Sequence, residues 1–323
     1  MLNLYFRGDD VLENHDECVI VVEELTKKYG DLVAVKGINF CVRRGEIFGF
    51  LGPNGAGKTS TVRMLCGLTK ITSGKAKIYG YDVARNHKNV KRIIGVVPES
   101  SNLYWDLTCL DNLLFCGEMF SVPREERLSR AIKLLKLFGL WGKRNVKFKN
   151  LSKGLKRRLT IAAALIHNPK ILFMDEPTAG LDVFSKRMLW NRILGLKEKG
   201  VTIFLTTHNV REAFEVCDRI AIINKGRIVA LGRPWELREA FSAKGIIEIV
   251  FHPNNPRVEE VSSLHGVIKV ERKHELLKIV TYDTVRVLKE IAKLARSKGL
   301  DIYLLNVRGI DAEELFIKIV GDS

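Results

Sequence analysis

The amino-acid sequence predicts an α/β protein: a mostly parallel sheet covered by helices, a helical insertion in that sheet domain, and a small α+β unit at the C-terminal end. Three observations carry the prediction. Short β-branched runs alternate with helical stretches from Cys18 to about residue 240. Between Thr108 and His167 no convincing strand occurs, and three helical stretches take its place. Residues 246–323 then read in the order β-α-β-β-α-β, which is that of a ferredoxin-like unit. The chain of 323 residues thus divides into an N-terminal extension (1–17), a sheet domain (18–240) whose helical subdomain spans about 100–168, and an accessory domain (241–323).

Taken in order, strands are expected at Val19–Glu23, Ile38–Val42, Ile47–Leu51, Ile93–Val97, Ile171–Met174, Ile203–Thr206 and Ile220–Asn224. Ile171–Met174 and Ile203–Thr206 are continuous apolar runs, as strands buried on both faces require. In the accessory domain, strands fall at Ile246–Phe251, Val267–Glu271, Leu276–Thr281 and Ile302–Val307. Helices fall near Val258–Ser263 and at Thr284–Lys298, and Asp311 is placed to cap a last one. There is no internal repeat and no low-complexity segment.

With 46% hydrophobic and 28% charged residues, the chain has material for a full core. Its formal charge of +16 and pI near 9.6 favour an anionic partner but say nothing about fold. The excess lies in the first three-quarters, because residues 244–323 hold 13 Lys and Arg against 12 Asp and Glu. Residues 143–158 carry eight cations, and no acid occurs between Arg127 and Met174. Nucleic acid, a membrane surface or the phosphates of a small molecule would each answer that charge, and a solvated lysine-rich face is the plain alternative.

The six cysteines (Cys18, Cys41, Cys66, Cys109, Cys116, Cys217) show no C-x-x-C pair and no histidine at metal spacing. A reducing compartment is expected rather than a disulfide framework, with Cys41 and Cys66 acting as small hydrophobes. The stretch MLNLYFRGDD lacks the apolar run and cleavage site of a secretory signal. No segment approaches the roughly 18–20 apolar residues that span a bilayer. Any membrane-spanning part is expected on another chain.

Two motifs carry the chemistry. GPNGAGKT (52–59) directly follows the apolar run IFGFL and opens a helical pattern, the context in which G-x-x-x-x-G-K-[ST] has meaning. Gly52, Pro53, Asn54, Gly55, Ala56 and Gly57 form a loop whose N–H groups can turn around phosphate oxygens at a helix N-terminus, with Ser60 following. Lys58 is placed to bridge the outer phosphates and Thr59 to hold Mg²⁺. ILFMDEP (171–177) supplies Asp175 at a strand end as a water-mediated Mg²⁺ partner, and Glu176 as general base for the attacking water. These motifs alone permit a kinase, a GTPase, a helicase or a transporter ATPase.

LSKGLKRR (151–158), followed by ALIHNPK, resembles the signature loop of ATP-binding-cassette (ABC) ATPases. The resemblance covers roughly residues 18–240 with every landmark in order. AGLD (179–182) is similar to that family's D-loop, His208 in LTTHN to its switch histidine, and Tyr29 in KKYGDLVAVKGINF to the aromatic that stacks on adenine. VVPES (96–100) sits where the Q-loop belongs, with Glu99 in place of glutamine, beside Mg²⁺. Lys153 and Leu155 depart from the usual second glycine and glutamine of the signature, as members serving drug, lipid and polysaccharide exporters do. The ending VRGIDAEELFIKIVG is similar to the accessory domain of export-type members, although a plain dimerisation module fits it equally.

The resemblance implies that Ser152 and Gly154 contact ATP held by a second copy, giving a head-to-tail homodimer sandwich with Asp182 communicating between sites. The anion awaited by the basic loop is then a partner's nucleotide, and Lys143, Arg144, Lys147, Lys149, Arg157 and Arg158 fall to a solvated face. The implied function is the ATPase subunit of an exporter at the cytoplasmic face of a membrane, working through a separately encoded multi-span permease, with no nucleic-acid partner. SSNLYWDLTCLDNLLF (100–115) is the candidate to receive a permease helix, while Leu103, Tyr104 and Trp105 fit a core equally. A soluble ABC ATPase acting on ribosomes or DNA and a barely hydrolysing ATP-operated clamp are the competing readings. The cargo is not legible, because the permease would read it.

Overall fold

A computed structural model describes residues 17–241, 245–281, 283–308 and 312–321. The expected N-terminal extension (apart from Glu17) and the capping role of Asp311 lie outside the described residues. Contacts divide the chain into two compact units, the first ending at Arg233 and the second starting at Pro234.

The first unit opens with a hairpin of β1 (Cys18–Tyr29) and β2 (Leu32–Arg43), then β3 (Ile47–Leu51) and α1 (Lys58–Leu65). β4 (Ser73–Ile78), β5 (Tyr81–Asp82), α2 (His87–Ile93) and β6 (Ile94–Val97) follow. The insertion holds α3 (Cys109–Met119), α4 (Arg124–Leu137), two short 3₁₀ turns and α5 (Lys153–Ala164), and among its described residues there is no strand. The unit ends with β7 (Ile171–Asp175), α6 (Val183–Glu198), β8 (Thr202–Thr207), α7 (Val210–Val216), β9 (Arg219–Asn224) and β10 (Arg227–Gly232).

These strands form two sheets rather than one. The order β10-β9-β3-β8-β7-β6 is parallel from β9 to β6, with β10 antiparallel at the edge. The order β2-β1-β4-β5 is a separate antiparallel sheet. The expected strands at Val19–Glu23 and Ile38–Val42 thus leave the parallel sheet. The Gly30–Asp31 turn between β1 and β2 is too short for a crossover, so only an antiparallel pair can form. β4, β5 and β10 are strands beyond those expected: serine, glycine and lysine dilute the apolar pattern of β4, and β5 is only two residues long.

The two sheets share one core. Phe40 of β2 stacks on Phe48 of β3 at 5.5 Å between ring centroids, and Phe204 of β8 lies 5.6 Å from Phe48 and 5.4 Å from Phe173 of β7. All residues of β3, β7 and β8 are buried, which holds the ends of these strands in fixed positions.

The cysteine expectation needs correction. The pairing of β1 with β2 brings Cys18 and Cys41 to a Cα separation of 5.8 Å, and they are joined as a disulfide. Cys66, Cys109 and Cys217 are free and buried, and Cys116 is free and half-buried.

The second unit contains α8 (Pro234–Phe241), β11 (Gly245–His252), α9 (Val258–Ser262), β12 (Val267–Lys273), β13 (Leu276–Thr281), α10 (Thr284–Lys298), β14 (Asp301–Arg308) and α11 (Ala312–Gly321). Its sheet runs β12-β13-β11-β14, every neighbour antiparallel. Val287, Ile291 and Ala295, four residues apart on α10, close its core over Ile247, Ile249, Leu277 and Ile279. The division falls at Arg233 rather than at residue 240 because α8 packs against α11.

Candidate functional site

The glycine loop links the C-terminal end of β3 to α1 and can take its shape only with glycine at two positions. A Cβ on Gly52 would sit 2.3 Å from the Ile223 carbonyl oxygen. Gly57 has φ +110° and a Cβ there would meet the Ala34 carbonyl oxygen at 2.7 Å. The Ala56 N–H donates to the Pro53 carbonyl at 3.2 Å, closing the turn. Lys58, only 6% exposed, donates from Nζ to the carbonyls of Gly52 (2.7 Å) and Pro53 (3.1 Å).

Three parallel strand ends converge beside the loop, as the carboxyl edge of an open α/β sheet allows. β7 delivers Asp175, whose Oδ1 accepts from the Thr206 hydroxyl at 2.5 Å and the Thr59 hydroxyl at 3.4 Å. Glu176 follows in the left-handed region, φ +47°, uncommon for a residue with a side chain. Its N–H donates to the carbonyl (3.2 Å) and hydroxyl (3.1 Å) of Thr206 on β8. The carboxylate is thereby held with Oε1 3.5 Å from Lys58 Nζ and Oε2 2.9 Å from Nδ1 of His208, which comes just after β8.

A cleft of about 380 Å³ gathers most of the residues expected to bind nucleotide. Asn54, Gly55, Gly57, Lys58, Thr59 and Ser60 line it together with Glu99, Glu176 and His208. Tyr29, 45% exposed with Lys27 Nζ 4.8 Å from its ring centre, also lines it. Gly52, Pro53 and Ala56 are not among the lining residues but hold the loop's shape through hydrogen bonds, and Asp175 is joined to it through Thr59.

Ser152, Gly154 and Asp182 do not line this cleft. Ser152 is the N-cap of α5, its exposed hydroxyl oxygen accepting from the Leu155 N–H at 3.4 Å. Asp182 caps α6 through the N–H and hydroxyl of Ser185, at 2.8 and 2.6 Å, and these bonds hold its carboxyl below the usual range. The two caps are neighbours, since a Cβ on Gly154 would lie 2.8 Å from the Ser185 hydroxyl oxygen. Beside them Val183 and Phe184 are 84% and 73% exposed.

Two residues of the site's framework carry no site role in the sequence. Thr206 carries a hydroxyl that braces both acids, and it lay unnoticed inside an apolar strand. Arg157 was assigned to a solvated face but is 8% exposed. Helical spacing held the clue, because Arg157 falls three, four and seven residues before buried Thr160, Ile161 and Ala164. Arg158 is half-buried, donating to the Phe138 carbonyl at 3.2 Å, whereas Lys143, Lys147 and Lys149 are exposed.

Comparison with known proteins agrees with this geometry. Residues 35–179 match the family described as ABC transporter. The linearmycin resistance ATP-binding protein LnrL of Bacillus subtilis is 35% identical over 307 residues, 94% of this chain and 98% of that one. A Nod factor export ATP-binding protein I of Ralstonia nicotianae is 42% identical over 219 residues, 68% of each chain. Among solved structures, a dimeric ATP-binding cassette in a post-hydrolysis state, bound to ADP and Pi, matches with a TM-score of 0.61 at 29% identity, over 67% of this chain and 98% of that one.

Proposed function

Since this chain belongs to the ATP-binding proteins of ABC transporters and is an ATPase of that family, we propose that it powers export through a separately encoded membrane permease by closing and opening an ATP-sandwiched homodimer. One observation carries the reading: Lys58, Thr59, Glu176 and His208 share a cleft that Ser152, Gly154 and Asp182 of the same chain do not enter. A nucleotide in that cleft leaves one side for a second copy's capped helix to cover.

In this reading the loop Gly52–Ser60 wraps the phosphates, Tyr29 stacks on the base, and Lys58 neutralises the outer phosphates. Thr59 and Asp175, two hard oxygen donors sharing a contact, would hold Mg²⁺ when it is bound with nucleotide. Glu99 faces the same space. Bound there, the ion would offset charge on the transferring phosphoryl group. Glu176 orients the attacking water and accepts its proton, while His208 contacts the γ-phosphate. Ser152 and Gly154 present hydroxyl, N–H and helix dipole to the partner's nucleotide, and Asp182 links the two sites. The exposed Val183 and Phe184 beside them suit a face that becomes covered.

Relatives named for resistance and for export support an exporter. Among the described residues no helix is long and apolar enough to cross a membrane, so the translocation path is assigned to another chain. Leu103 is buried, but Tyr104 and Trp105 are 53% and 60% exposed, which favours the helical insertion as the permease-receiving surface at the cytoplasmic face. The first unit carries the nucleotide cycle and the second, starting at Pro234, serves as an accessory domain.

The test is Glu176→Gln with Mg-ATP. The variant should bind ATP, release no phosphate and run as a two-chain species by light scattering, and the wild type should retrieve a multi-span protein from its own membranes. Normal phosphate release by the variant, or a monomer at saturating ATP, would overturn the reading.

A further inference from the structure

We propose that Arg157 is a positioning residue that fixes the backbone of Glu176 from the helix presented to a second copy, so that the arrival of a partner's nucleotide and the aim of this chain's own general base are set by one body. The inference rests on the sandwich reading above and goes beyond it by naming the mechanical link.

The guanidinium reaches three successive carbonyls at the end of β7. Nη2 donates to Asp175 (2.7 Å) and Glu176 (2.8 Å), and Nε donates to Pro177 (2.8 Å). Nη1 donates to the carbonyls of Pro98 (2.5 Å) and Glu99 (3.3 Å) in the loop after β6. All these bonds go to carbonyls, and they tie α5 to both acidic segments of the cleft.

A guanidinium spends its fixed fork of donors well here, because three consecutive carbonyls aimed at one point require a sharply turned backbone. That turn is where Glu176 adopts φ +47°. Left-handed backbone at a non-glycine residue is strained and persists only where surroundings enforce it. The conformation also aims the carboxylate between Lys58 and His208. Burial pushes the guanidinium down to about 10, opposed chiefly by the charge of Asp175, so it stays cationic at neutral pH.

The same helix is keyed to the adjoining loop at its N-terminus, one turn before Arg157. The Lys153 side chain lies over Gly180, where a Cβ would meet Nζ at 2.0 Å, and Gly154 abuts the Ser185 hydroxyl that Asp182 holds. Ser152, the proposed contact to the partner's phosphate, caps the helix five residues before Arg157. A push on Ser152 is therefore delivered to residues 175–177 through Arg157 and to residues 180–185 through Lys153 and Gly154.

The experiment compares Arg157→Lys, Arg157→Gln and the control Arg158→Gln in the full chain. Lysine keeps the charge but cannot span all five carbonyls. Both Arg157 variants should keep the ATP Kd within about threefold and melt cooperatively. Their kcat should fall by about 10–100-fold, the range in which small misplacements of a reacting group act. Arg158→Gln should hydrolyse at the wild-type rate. An unchanged kcat in Arg157→Lys would overturn the proposal, as would parallel losses of ATP affinity, kcat and melting cooperativity, which mark a purely structural role. If the wild type itself neither hydrolyses ATP nor forms a two-chain species, the sandwich reading fails first and this inference with it.

Discussion

Lys58 and Glu176 face each other beside the glycine loop, ammonium to carboxylate 3.5 Å apart, with their side chains only 7% and 11% exposed. Two charges so far from solvent persist because each offsets the other's desolvation. The proposed phosphate-binding cation and the proposed base are thus coupled before chemistry begins. His208, with its side chain 57% exposed, touches the second carboxylate oxygen from the open side.

Lys58→Ala should remove nucleotide binding. Truncating one partner of a buried, hydrogen-bonded charge pair costs about 2–5 kcal/mol, or more than tenfold in affinity. Calorimetric titration with ATP checks this, and an unchanged Kd would remove Lys58 from the phosphate site. A small drop in Tm is also expected, because Glu176 loses its cationic partner.

Metal dependence should separate binding from turnover. Chelating Mg²⁺ with EDTA should stop phosphate release while leaving residual ATP binding, and Thr59→Ala should raise the Mg²⁺ concentration needed for half-maximal rate. Thr59 contacts Asp175, so Asp175→Asn should shift the same curve in the same direction. Full activity in chelator would rule out the assignment of both residues.

The cap on α6 should titrate. Asp182 has its carboxyl held below the ordinary value of 3.8 by the Ser185 hydroxyl and then by the Ser185 N–H. A depressed folded value contributes stability that is fully present above the ordinary value and is lost as pH falls through the lower, folded one. Asp182→Ala should therefore melt below the wild type near neutrality, with the gap closing under strong acid. Asp182→Asn should keep most of the cap with little pH dependence. Parallel melting curves for Asp182→Ala and the wild type across pH would show that the bond contributes nothing.

Much of the site was legible because its parts are local in sequence. A loop of fixed glycines between strand and helix, or two acids after a buried strand, is recognisable from spacing alone, and Gly52–Thr59 and Asp175–Glu176 lie where that logic puts them. Thr206 and Arg157 were hidden for the opposite reason. Each acts on groups 18–59 or 30–31 residues away in sequence, and nothing within their own segments announces the target. The disulfide of Cys18 with Cys41 was hidden likewise, since it depends on a hairpin pairing that spacing does not reveal.

By itself the sequence determined the α/β class, the helical insertion, the glycine loop between strand and helix, the paired acids and the family resemblance, because each is written in a contiguous periodicity or motif. Only the tertiary structure decided that the first two strands stand apart from the parallel sheet, that Glu176 is gripped by Lys58 and His208, and that a cation beside the signature loop is buried against five carbonyls. Those outcomes depend on which segments, distant along the chain, come to share a core. That is settled by packing and by the need to pair every buried polar group, and no single stretch of sequence contains it.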